Sequence, residues 1–204
     1  MPKKTKKYDQ LKAIRDEVVE LKQSPLYEYR CKNRYKPVIG QGDHDAKLMF
    51  VGEAPGENEA KTGVPFCGAA GRVLDELLAS INLKRSEVYV TNILKDRPPN
   101  NRDPSPQEIE LYSPFLLRQI KIIQPKIIAT LGRFSMEFIM KEYDLEDELT
   151  KISLLHGKSF TTSVGDRQLQ IVPLYHPAVA LYNASQRTTL EEDFRILEAM
   201  LSLV

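Results

Sequence analysis

The chain has 204 residues, 42% of them hydrophobic, and a formal net charge of +1. That length suits one well-buried domain, and the balanced charge excludes a global basic field, so any nucleic-acid contact must rest on local clusters. Two cysteines, Cys31 and Cys67, and the lack of a long apolar run exclude a disulfide scaffold and a membrane-spanning helix, so a soluble cytoplasmic protein is expected.

The start, "PKKTKK", reads as a basic, flexible tail over 1–7. From 8 to 22, Leu11, Ile14, Val18 and Leu21 recur at spacings of three and four, which predicts an amphipathic helix ending before Pro25. An irregular stretch follows to Asp45. "KLMFV" from Lys47, "VYVTNIL" from Val88 and "KIIATLG" from Lys126 are near-continuous apolar runs, the pattern of strands buried on both faces of a parallel sheet. Between them, 71–81 puts Val73, Leu74, Leu77, Leu78 and Ile81 on one helical face. The segment 106–123 opens with Ser-Pro-Gln-Glu, a capping-box signature. "KSFTTSV", a Gly165-Asp166 turn and "LQIVPLY" predict a hairpin feeding a last buried strand, and 188–203 a closing helix. Alternating strands and helices imply an α/β fold. We expect a three-layer α/β/α sandwich with a central, mainly parallel four-stranded sheet, in a single domain.

In such sheets functional groups gather beyond the carboxyl ends of the strands. Three loops fit: "GEAPGENEAKTGVPF", "TNILKDRPPNNRDP" and "HPAVAL". The first is the glycine-rich strand-to-helix connection that elsewhere cradles phosphate. Glu53, Glu57 and Glu59 would repel a phosphate, which points to chemistry in this loop.

Taken in order, "GEAPGENE", "GVPFCGAAG", "VYVTNILKDRPPNNRDP", "QPKIIATLG" and "YHPAVAL" resemble the uracil-DNA glycosylase superfamily, closest to the branch called family 4. The resemblance covers most of 47–181 and the terminal helix. It implies a monofunctional DNA repair enzyme that flips a base from DNA and hydrolyses the N-glycosidic bond of deoxyuridine, leaving an abasic site. By this resemblance Phe66 stacks on the flipped uracil, and the Asn92 amide donates to one edge atom and accepts from the ring N–H. His176 donates, as neutral imidazole, to O2, where negative charge develops. Glu53 handles water and the cation-like sugar, with Glu59 in reserve. Backbone amides around Gly52, Ala54 and Gly56 hold the uracil edge or a phosphate. Taken alone, each has a plainer reading: a core ring, an asparagine capping a strand end, a structural histidine before proline. His44 and His156 match no catalytic position.

On the DNA side, "HPAVALYN" resembles a loop entering the minor groove, which places Pro177 and Ala178 against DNA, with Val179, Ala180 or Leu181 filling the hole left by the flipped nucleotide; Leu181 is the expected wedge. Lys95, Arg97, Arg102 and Arg187, with Asn101 and Gln186, are expected to meet phosphates. Family 4 members typically hold a four-iron cluster through four cysteines. Here Pro25, Glu28, Asp96 and Tyr112 stand at those positions, so no cofactor and no metal are expected, with Tyr27, Tyr29 and Tyr112 packing into the gap. A related branch links covalently to DNA through a histidine in the loop after the second strand, and "KDRPPNNRDP" has none. The expected partner is uracil-containing DNA, single- or double-stranded, met by a monomer that does not engage membranes and that would be nucleoid-associated in a prokaryote. Two rivals stay open: the same fold acting on another damaged base, such as hypoxanthine or mismatched thymine or uracil, and a non-catalytic DNA-binding or partner module.

Overall fold

In the computed structural model, which describes residues 6–203, helix α1 (Lys6–Val19) buries Leu11, Ile14 and Val18, the stripe that the three-and-four spacing marked. The helix reaches back into the expected tail. Lys7 is no solvated end: its Nζ donates to His44 O at 3.2 Å and Ile123 O at 3.1 Å and pairs with Asp45 at 2.7 Å. Residues 1–5 of that tail lie outside the described residues. The short helix α2 (Tyr27–Lys32) fills part of the stretch expected to be irregular, because six residues are too few to show a period.

The remaining elements are β1 (Gln41–Gly42), β2 (Leu48–Gly52), α3 (Glu57–Thr62), α4 (Ala69–Ser80), β3 (Tyr89–Asn92), α5 (Pro106–Ile123), β4 (Ile127–Leu131), α6 (Arg133–Glu142), α7 (Ile152–Leu155), β5 (Phe160–Val164), β6 (Arg167–Leu174) and α8 (Ala184–Leu201). Short 3₁₀ turns lie between several of them. The strands form one sheet in the order β1-β3-β2-β4-β6-β5. Its inner four, β3, β2, β4 and β6, are parallel as expected; β5 pairs antiparallel with β6 across the expected Gly165-Asp166 turn, and β1 adds a second antiparallel edge. The sheet therefore has six strands rather than four. The two residues of β1 are too short to announce themselves.

Alternation along the inner strands sorts the two faces. Leu48 and Phe50 pack with Leu74 and Leu77 of α4 and with Leu190, Phe194 and Leu197 of α8, and the Phe50 and Phe194 rings stack at 5.7 Å. Met49 and Val51 pack with Ile14 of α1, Leu116 and Ile120 of α5, and Met136 and Ile139 of α6. Both faces of the sheet are covered, hence the unbroken apolar runs.

Helix α5 begins where the capping box places it. Ser105 Oγ accepts from Glu108 N at 3.2 Å, Glu108 Oε2 accepts from Ser105 N at 2.8 Å, and Pro106 supplies the first turn. Helix α8 starts at Ala184, four residues before the expected 188, because Asn183 Oδ1 accepts from Ser185 N at 3.0 Å and caps it.

At the edge where α1, α2 and α5 meet lies a buried polar network. Tyr112 donates to Asp96 Oδ2 at 2.6 Å, Arg30 Nη1 donates to the same oxygen at 3.0 Å, and Ser24 Oγ lies 2.7 Å from the Tyr112 hydroxyl. Tyr27 lies 5.0 Å from the Arg30 guanidinium, within cation–π range. Tyr29 instead packs edge-on against Tyr35 at 5.9 Å, so only two of the three expected tyrosines take part. No helix of the described residues is long and apolar enough to cross a membrane.

Candidate active site

The chain passes from β2 to β3 on one side and then crosses back to β4 on the other, so strand order reverses about β2 and a crevice opens at the carboxyl ends of these strands. Gly52 and Asn92 close β2 and β3 in register with each other. A Cβ at position 52 would sit 2.3 Å from Asn92 Oδ1 and 2.8 Å from Phe66 Cζ, so glycine is what lets these two side chains converge. Beside them lies a cavity of about 180 Å³ lined by Ala54, Gly56, Glu59, Phe66, Ala70, Asn92 and His176. A larger cleft of about 390 Å³ opens at the amino end of β6, among Leu117, Ile120, Tyr143 and Leu169, away from the functional loops.

Asn92 is only 2% exposed, and among the described residues its side-chain amide makes no hydrogen bond. The amide opens onto the cavity, where a ligand in place of water can bond both its donor and its acceptor. Phe66 is held at φ +51°, a left-handed conformation disfavoured by about 1–2 kcal/mol for a residue with a side chain. Helix α4 accommodates the turn through Gly71, where a Cβ would sit 1.7 Å from Phe66 O. Arg85 secures the turn by donating to Pro65 O at 2.8 Å.

His176 follows β6 and caps a 3₁₀ turn, Pro177–Leu181. Its Nδ1 accepts from Ala178 N at 3.2 Å, which places the ring proton on Nε2. Burial pushes its pKa down to about 4, against an upward pull from the Glu59 charge. The ring is thus a neutral donor at neutral pH. Its centroid lies 5.7 Å from that of Phe66 with the planes 30° apart.

The two glutamates separate. Glu59, in the first turn of α3, lines the cavity; its Oε1 accepts from Gly68 N at 3.1 Å, and a Cβ at Gly56 would approach Oε2 to 2.6 Å, so glycines on both sides seat the carboxylate. Glu53 is half-buried and is not among the lining residues. Burial, with the nearby Asp103 charge, raises its pKa while Arg133 opposes the rise.

Several expected DNA contacts change character. Lys95 is 0% exposed, with its Nζ bonded inside the protein, so it meets no phosphate. Pro177 is buried and shapes the turn. The Arg97 side chain is 8% exposed and donates to Tyr35 OH and to Asn101 Oδ1. Arg102 grips the capping-box Glu108 with two bonds of 2.8 and 2.6 Å, and Arg187 pairs with Glu76 and Glu191. Ala178 spends its N–H on His176. Leu181 is 40% exposed, and its neighbour Tyr182 is 89% exposed. Sequence reading passed over Tyr182, Ala70 in the cavity wall and Arg133 at the start of α6. The signal for Arg133 was available, because "LGRF" also follows the carboxyl end of a strand.

Among the described residues no group of three or more His, Cys, Asp or Glu is placed to hold a metal. The four positions expected from the sequence to stand where cluster cysteines would be do not come together: Pro25 and Glu28 are exposed, whereas Asp96 and Tyr112 bond each other, and Cys31 and Cys67 are exposed elsewhere.

Residues 39–199 match the family described as the uracil DNA glycosylase superfamily. The chain is similar to the type-4 uracil-DNA glycosylase of Sulfurisphaera tokodaii, 46% identical over 92% of this chain and 83% of that protein. It is also similar to that of Archaeoglobus fulgidus, 46% identical over 82% of each chain. Likeness to the type-5 uracil-DNA glycosylase of Pyrobaculum aerophilum is lower, 26% over 84% of this chain and 80% of that protein. A match running from the first sheet edge almost to the end of α8, enclosing every residue of the cavity, leaves one conclusion: the chain belongs to the uracil DNA glycosylase superfamily.

Proposed function

We propose that the protein excises uracil from DNA by hydrolysing the N-glycosidic bond, without strand cleavage of its own and without a bound cofactor, acting as a single-domain monomer. The observation that carries this reading is the small cavity in which an unpaired asparagine amide, an aromatic ring and a neutral imidazole converge. A flipped pyrimidine lies along Phe66. Asn92 offers one donor and one acceptor, the pattern that uracil complements and cytosine reverses. As the bond from C1′ to N1 breaks, its electron pair passes to the uracil ring, and Nε2–H of His176 donates to O2 as charge builds there.

Water then adds to C1′ and gives up a proton. We assign proton acceptance to Glu53, whose raised pKa brings it nearer the working pH, and stabilisation of the cation-like sugar to Glu59 in the cavity wall. Leu181, with Ala178 to Ala180 behind it, enters the duplex where the nucleotide leaves. Arg102, Arg187 and Arg97 reach phosphates only by exchanging their present carboxylate or hydroxyl partners. Incubation with a uracil-containing oligonucleotide, then alkali, should yield strand scission at the uracil. No scission at equimolar protein would sink the reading.

A further inference from the structure

Lys95 lies near the start of the loop after β3, three residues after Asn92, with 0% of its surface exposed. Its Nζ lies 2.7 Å from Asn92 O, 2.8 Å from Thr91 Oγ1 and 2.6 Å from Gln119 Oε1. All three act as acceptors. Asn92 O is a carbonyl. Thr91 directs its hydroxyl hydrogen to Ile39 O at 2.7 Å. Gln119 Nε2 donates to Ile39 O at 2.9 Å and to Tyr89 OH at 3.1 Å, which turns Oε1 toward the lysine. An ammonium has three N–H groups, one for each of these oxygens, whereas a neutral amine would need Thr91 to turn its hydroxyl hydrogen away from Ile39 O toward the lone pair.

Burial alone pulls this lysine's pKa well down, and among the described residues no carboxylate lies within ion-pair reach of it. An ammonium here is held only by dipoles, a costly arrangement. Local order does not depend on it alone. Ile93 N and Leu94 N already bond Gly52 O and Glu53 O at 3.0 Å each, and Val38 N bonds Lys95 O at 2.7 Å. We infer that Lys95 is a positioning residue for excision: a buried ammonium that fixes the Asn92 peptide and sets a positive charge behind the base cavity, where negative charge develops on the departing pyrimidine. Such a charge acts through low dielectric with no reorganisation during reaction. The role rests on the uracil-excision reading.

Two measurements test it. Single-turnover excision by native protein and Lys95→Met is compared for uracil and 5-fluorouracil in single-stranded oligonucleotides. The fluorinated ring is the better leaving group and needs less help, so Lys95→Met should slow uracil release by about tenfold more than 5-fluorouracil release. Equal slowing of both, as a purely structural loss would give, or no slowing, overturns the charge's role. Should Lys95→Met fail to fold, ¹⁵N NMR of the native protein decides the protonation: a slowly exchanging Nζ bearing three protons at neutral pH is expected, and an amine overturns it. Native protein that releases neither base would instead overturn the excision reading and the catalytic role together, while the NMR result still judges the ammonium.

Discussion

His176 draws its chemistry from two neighbours: the Ala178 N–H fixes its tautomer, and burial keeps it unprotonated. His176→Ala should cost roughly 3–4 kcal/mol of transition-state stabilisation, as removal of an oxyanion donor does, read as single-turnover rate at saturating DNA. The pH profile follows from the signs. A histidine pushed down to about 4 stays neutral as pH falls through 6.5, so it contributes no limb there. Glu53, with its pKa raised, should place an acid limb above the ordinary carboxylate range, and Glu53→Gln should abolish that limb. Survival of the limb in that variant would move proton acceptance to Glu59. Asn92→Asp should shift preference toward cytosine, measured as the ratio of cytosine to uracil release, because a protonated carboxyl presents a donor and acceptor in another order.

Elements set these groups to within bonding distance, and they do it through small residues at their ends. Gly52 ends β2 so that Asn92 and Phe66 meet, Gly68 and Gly71 open α4 so that Glu59 is bonded and Phe66 can turn, and Gly132 opens α6 with a Cβ position only 3.4 Å from His176 Cβ. The 3₁₀ turn after His176 carries the exposed pair Leu181 and Tyr182 outward. Leu181→Ala should reduce excision from duplex DNA more than from single strands, since only a duplex presents a hole to fill. Equal loss on both substrates would argue against the wedge. The capping box of α5 ties to this surface through the Arg102–Glu108 pair, and Ser105→Ala should lower stability by about 1 kcal/mol, seen in the denaturant midpoint.

At the scale of the molecule, the segment from Ser24 to Arg30 is joined to α5 and the loop after β3 by buried polar bonds. Breaking them on one side leaves a charge without its partner. Asp96→Ala should therefore destabilise by about 3–5 kcal/mol, and Tyr112→Phe by roughly 1–3 kcal/mol, measured by equilibrium unfolding, with the excision rate per folded molecule little changed. The amino acids by themselves determined the four parallel strands, the amphipathic faces of α1, α4 and α5, the capping box and the motif residues around the cavity, because periodicity and turn chemistry act over a few neighbouring positions. Only the tertiary structure decided the antiparallel edge made by β1, the separation of Glu59 from Glu53, and the fate of the cations. Lys95 reads as a surface charge in "LKDRPP", yet Gln119, twenty-four positions away, meets it in the core. What a charged side chain does depends on the partner that folding brings across from it, and a linear pattern carries no record of that partner.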